Sequence, residues 1–274
     1  MNTSCIFQIH DLSPLKAHDN LRVMDTRYWG PSGWRLLHLI SFAPRNSSTC
    51  AFFETLPYVL PCKYCRKSLS EYMMKDPIDC NKDLPKWLYR IHNDVNHKLR
   101  AQKIPVDTNP SFEKVVSIYA DRLMAGCSRT EFEGWEFLFS VAEAHPMSRV
   151  AKASIPVSGH PPVESITDPL ERNRWNIMTP EERLPYYTRF WDLLPAVLPF
   201  PEWTKSWGEA VKEVGPPSCR ADCLKYLWSI RRHMEEKLDL INRTTYDSLC
   251  KELRHNRSGC NKTTRGKTCR RKKV

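Results

Sequence analysis

Cys62 and Cys65, in the stretch "LPCKYCRKSL", are the residues of this chain with the most obvious chemical potential. Two intervening residues suit three uses: half of a metal clip, a structural pair, or a dithiol that cycles with its disulfide. Proline is tolerated in a first helical turn but not in a helix interior, so Pro61 closes one helix and opens another. Both cysteines then sit at a helix N-terminus, where free N–H groups and the helix dipole favour the thiolate. Two further sets accompany them. Trp34 and His38 stand at i and i+4 in "WGPSGWRLLHLISF", and "HNDVNHKL" puts His92 and Asn96 on one helical face with Asn93 beside them. Taken alone, these sets read equally as core and as a polar helix face.

The elements that must hold these residues are helical. Trp34, Leu36, Leu37, Leu39 and Ile40 fall at helical spacing after "DTRYWGPSG". Asn46, Ser47 and Ser48 offer N-caps for a second helix with Phe52, Leu56 and Val59 on one face. A third begins at the cysteines, and a fourth spans roughly 84–103 with Trp87, Leu88, Ile91, Val95 and Leu99 as its stripe. A short fifth runs from about Ser111 to Leu123 and turns Phe112, Val115, Val116 and Tyr119 inward. Such a series describes a small all-α bundle. The proline-rich, aperiodic stretch from about Ala144 to Pro169 reads as a linker, and helical signals return at "TPEERLPYYTRFWDLLPAVL".

An internal similarity connects the two halves. Residues 52–69 align without gaps to 190–207 with 8 of 18 positions identical, and residues 86–99 align to 225–238 one residue out of register. In the second copy Cys62 and Cys65 become Phe200 and Trp203, while His92, Asn93 and Asn96 become Arg231, Arg232 and Glu235. Packing positions survive and reactive ones drift, which marks the drifted positions as candidates for chemistry.

Composition bounds the class. A hydrophobic share of 41% and an aromatic share of 11% supply cores for one large domain or two ordinary ones. The last 24 residues hold ten Lys or Arg against one Glu, so they carry +9 of the net +11 and the rest of the chain only +2. A basic tail of this kind either solubilises or meets an anionic partner. No basic start followed by an apolar run appears at the N-terminus, and no apolar stretch approaches a membrane span; a soluble cytosolic protein is expected. Eleven cysteines without a secretory signal favour metal binding or thiol redox chemistry over a disulfide scaffold.

The three motifs, from Trp29, Leu60 and His92 in this order and spacing, resemble the Erv/ALR family of FAD-linked sulfhydryl oxidases, in the style of the compact versions encoded by large DNA viruses. The resemblance covers about residues 25–122. It implies a four-helix bundle plus a short fifth helix holding FAD non-covalently. It also implies oxidation of dithiols in protein substrates, with electrons passing to oxygen to give hydrogen peroxide. Cys65 would be the flavin-proximal sulfur and Cys62 the interchange sulfur. Gly30, Trp34, His38, Tyr64, His92, Asn93, Asn96, Lys98, Lys103 and Tyr119 would line the flavin site, and no metal is expected.

The expected layout is an N-terminal extension (1–24), the oxidase domain (25–122), a linker (123–164), a degenerate second helical copy (165–250) and a basic tail (251–274). Family members that form homodimers use the first two helices. Here either a homodimer forms, or the degenerate copy takes the partner's place and leaves one FAD per chain. No second cysteine pair is apparent around His92, so the bundle is expected to close by packing alone, with Cys5, Cys50, Cys80 and Cys127 free or structural. Cys260 and Cys269 in the tail are the first candidates for a shuttle dithiol, Cys219 and Cys223 the second. The expected location is the cytoplasm, of a host or within a virion. Two rivals stand against the oxidase: a zinc-bound, nucleic-acid-associated protein using Cys62, Cys65, Cys219 and Cys223, and a non-catalytic helical scaffold.

Overall fold

The computed structural model describes residues 22–148, 156–214 and 220–259. Helix α1 (Thr26–Phe42) starts earlier than its apolar periodicity suggests, because the Asp25 carboxylate accepts the Arg27 N–H and caps it, with Pro31 accommodated inside. α2 (Thr49–Val59) ends at Leu60 and α3 (Lys63–Lys75) begins straight after Cys62, so the proline-marked break falls where expected. α4 (Leu84–Ala101) is capped by Asp83, and α5 (Phe112–Met124) by Ser111. Of the positions expected to point inward on α5, Val115 is buried, Phe112 and Tyr119 are half-buried, and Val116 is exposed.

Among the described residues, six α-helices follow, with one 3-10 turn (Val163–Ser165) between the first two: α6 (Trp135–Glu143), α7 (Pro169–Arg174), α8 (Pro180–Val197), α9 (Pro201–Val214), α10 (Arg220–Lys237) and α11 (Tyr246–His255). The fold is helical except for a ribbon, β1 (Arg22–Met24) antiparallel to β2 (Arg257–Gly259), that joins the two ends of the described chain. A capping box between Thr179 and Glu182 starts α8 at the predicted place.

The stretch expected as a linker, 123–164, contains a core helix. Trp135, Phe137, Leu138, Phe139, Val141 and Ala142 of α6 are all buried. α6 lies along α1, and α2 lies along α8. A Cβ on Gly33 would approach the Phe137 ring to 3.1 Å, and one on Gly134 would approach Leu36 to 2.7 Å. Gly33 and Leu36 stand in α1 as Gly134 and Phe137 stand in α6, so each glycine receives the other helix's large residue. Phe52 likewise stacks at 5.1 Å on Phe190, its aligned partner in the sequence repeat. Reciprocal contacts between equivalent residues are those of a two-fold interface, here made within one chain. Neighbour relations repeat as well: α1 packs on α4 as α6 on α10, and α2 on α3 as α8 on α9.

The bundle does not close by packing alone. Cys50, at the start of α2, is disulfide-bonded to Cys80 in the loop between α3 and α4. Arg45 donates to the carbonyls of Cys80 and Lys82 and pins the same loop. For a sequence separation of 30, the loop-closure model assigns such a cross-link about 3–4 kcal/mol.

Candidate active site

Cys62 is the N-cap of α3, in an extended conformation (φ −108°, ψ 127°), and its carbonyl accepts the N–H groups of Cys65 and Arg66. The two cysteines stand as a dithiol. A hydrogen bond from the Cys65 thiol, then the N–H groups of Cys65 and Tyr64 and the charge of Arg66, lower the Cys62 thiol to about 6 against the opposing effect of burial. An N-cap whose side chain is sulfur rather than oxygen therefore offers a thiolate near neutral pH.

The two sulfurs face different surroundings. Cys65, Ser68 and Tyr72 recur along one side of α3. Tyr72 donates to the Asp94 carbonyl at 3.4 Å and the Lys98 ammonium donates to Ser68, so this side meets α4. Cys62 caps the first turn of that helix and only 3% of it is exposed, whereas Cys65 is half-buried. An interchange sulfur open to bulky thiols is thus not what the structure shows. The segments around α7 and α8 pack over the α2–α3 turn, and exchange at Cys62 requires that cover to move.

The aromatic and imidazole positions named from sequence converge where α1, α4 and α5 meet. The Trp34 and His92 rings stack with centroids 3.9 Å apart, His38 Nε2 lies 3.1 Å from His92 Nδ1, and Tyr119 stacks on His38 at 5.0 Å. Gly30 precedes Trp34 by one turn on the same helix. Burial, then the neighbouring His92, holds His38 down to about 3, and burial holds His92 down to about 4. Both imidazoles are neutral near pH 7, and one N–H serves their shared hydrogen bond. His38 Nδ1 is buried without a hydrogen-bond partner, an orphan polar atom in an aromatic-walled site. Asn93 is half-buried, and Asn96 donates to Asn109 of the loop that folds back on α4. Lys98 is turned onto α3 and Lys103 is exposed. Tyr64 lies under the Lys63 ammonium at 5.4 Å. Trp34, His38, His92 and Tyr119 are therefore brought together, whereas Lys103 is not.

These imidazoles make stability depend on pH. In the unfolded chain both titrate near 6.5, so their depressed folded values give stability that is present above 6.5 and lost as pH falls towards 4. The melting temperature is expected to fall between pH 7 and 5, and His38→Phe should flatten that slope. Thermal melts across this range check it, and equal slopes in both proteins would refute the assignment.

The matching positions of the second half are filled by their own side chains. Trp135, Phe139 and Arg231 stand where Trp34, His38 and His92 do, with the Arg231 guanidinium 5.5 and 5.9 Å from the two rings. Arg231 is tied to buried Glu235 at 2.6 Å. Phe200 and Trp203 replace the dithiol in an edge-to-face contact at 4.8 Å. Of the other cysteines, Cys223 is buried and Cys127 and Cys250 are half-buried. Cys5, Cys219, Cys260 and Cys269, with most of the basic tail, lie outside the described residues. Among the described residues no three or more His, Cys, Asp or Glu side chains gather as a metal site, and no helix is long and apolar enough to cross a membrane.

Sequence reasoning missed Arg66 and the residues that hold it. Arg66 is buried, donating to the Leu60 carbonyl at 3.1 Å and to Asn176 Oδ1 at 2.7 Å. An arginine beside two lysines reads as surface, and only the contact with the second half brings it inside.

Residues 31–116 match the model of the Erv1 / Alr family. The chain is 26% identical over 88 residues to the mitochondrial FAD-linked sulfhydryl oxidase ERV1 of Saccharomyces cerevisiae, a match covering 29% of this chain and 47% of that protein. It is 31% identical over 86 residues to the probable FAD-linked sulfhydryl oxidase R368 of Acanthamoeba polyphaga mimivirus, covering 27% of this chain and 60% of that protein. The chain thus spans about half the length of the curated relatives it matches. No solved structure matches it.

Proposed function

We propose, from the match of residues 31–116 to the Erv1 / Alr family model, that this protein is a flavin-linked thiol oxidase that makes disulfides in protein substrates. The observation that carries the reading is an N-cap dithiol, Cys62 and Cys65, on a helix whose Cys65–Ser68–Tyr72 side meets α4, the helix that brings His92 into the ring cluster with Trp34, His38 and Tyr119.

In the oxidised enzyme a substrate thiolate attacks the Cys62–Cys65 disulfide, forming a mixed disulfide and releasing the other cysteine as thiolate. The second substrate thiol, once deprotonated, displaces the enzyme sulfur. The substrate leaves as a disulfide, and two electrons and two protons remain on the cysteine pair. The chemistry that FAD supplies when bound is acceptance of those two electrons and their transfer to dioxygen, giving hydrogen peroxide. The residues fit such a group. Trp34 and His92 present flat rings for stacking, His38 carries an unused polar nitrogen, and Asn93 and Asn96 bring amides to the same helix. Cys65 lies on the α4 side of α3, the side an acceptor held by His92 would occupy.

The second half, on this reading, takes the place of a partner subunit and holds no flavin of its own, because Phe139, Arg231 and Glu235 occupy the matching space. The test is a visible spectrum of the purified chain followed by oxygen uptake with dithiothreitol. A flavin band at about one FAD per chain, with dithiol-dependent oxygen consumption, is expected. A colourless protein, or two flavins per chain, would overturn the reading.

A further inference from the structure

Arg66 and Arg183 are buried cations without an acidic partner. Arg66 is 4% exposed and Arg183 5%. The Arg66 guanidinium donates to the Leu60 carbonyl and Asn176 Oδ1, and its Nε is buried with no partner at all. Arg183, from α8, donates twice to the Tyr58 carbonyl, at 3.2 and 2.9 Å. No carboxylate forms a salt bridge with either among the described residues. Each is also near enough to be felt by the other: burial, then Arg66, pushes Arg183 well below the usual arginine range. Burying two like charges is costly unless an anion compensates them.

The groups facing this pair are few. Cys62 and Cys65 attract Arg66, Tyr187 attracts Arg183, and Tyr72 lies beside Cys65. Tyr72 titrates only at about 12, which leaves the Cys62 thiolate as the anion at neutral pH. The geometry points to Arg66, folded back onto the Leu60 carbonyl of the turn that carries Cys62, as the electrostatic partner of the Cys62 thiolate, aimed by Asn176 of the second half of the chain. The proposal rests on the thiol-oxidase reading and adds a role that reading does not require.

The second half supplies the aim through three side chains. Asn176 holds Arg66, Asn173 donates to the Pro57 carbonyl at 2.7 Å and to Ser70 at 2.9 Å, and Arg183 holds Tyr58. Together they clasp both sides of the turn that carries Cys62. Asn176 has a left-handed backbone (φ +55°), a conformation asparagine tolerates and glycine adopts freely. When the cysteine pair is oxidised the thiolate charge is gone and the two cations are left uncompensated. The arrangement therefore favours the dithiol and makes the disulfide a stronger oxidant of substrate thiols, as stabilising a reduced thiolate does in general.

The test uses the full-length protein with Arg66→Gln, Arg66→Lys and Asn176→Gly, the last keeping both the backbone conformation and the arginine. Mildly reduced protein is alkylated with iodoacetamide between pH 5 and 9, and modification at Cys62 is resolved by peptide mass spectrometry. Arg66→Gln should move the midpoint up by about one pH unit, slowing alkylation at pH 6 roughly fivefold with little change at pH 9. Arg66→Lys should restore much of the shift, and Asn176→Gly should fall between wild type and Arg66→Gln. Equilibration with glutathione should show the Arg66→Gln pair harder to reduce by about tenfold, roughly 30 mV. Profiles that overlay in all four proteins, or Arg66→Lys behaving as Arg66→Gln, would overturn the proposal. If Arg66→Gln fails to fold, the other two variants still decide it. The alkylation readout needs neither flavin nor turnover, so its failure is separable from failure of the oxidase reading, which oxygen uptake by the wild-type protein tests.

Discussion

Cys62→Ser and Cys65→Ser are each expected to reduce dithiol-dependent oxygen uptake to background while leaving bound flavin in place. Both sulfurs are needed because the oxidant that substrate thiols attack is the disulfide between them, which neither cysteine can form alone. Flavin should survive because the rings that would hold it, Trp34, His38, His92 and Tyr119, lie on α1, α4 and α5. The two variants also separate the roles of the two sulfurs. If substrate enters at Cys62, Cys65→Ser incubated with a substrate disulfide should trap a mixed disulfide on Cys62 with release of one substrate thiolate, which mass spectrometry would detect. Burial of Cys62 and partial exposure of Cys65 make this a demanding test. An adduct forming faster on Cys65 in the Cys62→Ser protein would exchange their assignments. Wild-type turnover in either variant would end the dithiol mechanism.

The parts of the site visible in the sequence are those governed by local rules. Pro61 fixes where α3 starts and therefore where Cys62 caps it. The i, i+4 spacing of Trp34 and His38, and the polar face of His92 and Asn96, place these residues on helices before any packing is known. Parts set by distant contacts could not be read. Cys50 and Cys80 stand 30 residues apart with nothing in their spacing to pair them. Arg66 looks like a surface residue until Asn176, 110 positions away, meets it.

The first helix of the second half was hidden for a different reason. α6 is buried on nearly every side and shows no apolar–polar period, so it does not announce itself as an amphipathic helix. Its register is also displaced: Gly134 lies 101 residues after Gly33, whereas Phe190 lies 138 after Phe52. The extra residues between these points include α7 and Asn176, the segment that clasps the dithiol turn. A single-offset comparison finds the later helices and passes over the first.

Phe190→Ala is expected to be the most destabilising single core truncation at the junction of the two halves. Phe190 is fully buried, stacks on Phe52 at 5.1 Å, and meets Phe137 edge-to-face at 6.3 Å. It thereby joins α8 to both α2 and α6. Removing a buried phenyl ring costs about 3–5 kcal/mol, a large share of the roughly 5–15 kcal/mol that holds an ordinary domain together. A fall in melting temperature of about 10 °C or more follows. The loss should reach the dithiol, because Arg183 and Asn173 grip the Cys62 turn only while α7 and α8 stay seated; alkylation of Cys62 should become faster as the cover loosens. Phe52→Ala removes the other half of the same stack. The double variant should therefore cost less than the sum of the two singles, by about 0.5–3 kcal/mol. Denaturant melts of the four proteins measure that difference. Full additivity would show that the two rings act independently and that the two-fold contact between the halves is not held at this pair. A shortfall with faster Cys62 alkylation in both singles would tie the intrachain interface directly to access at the reactive sulfur.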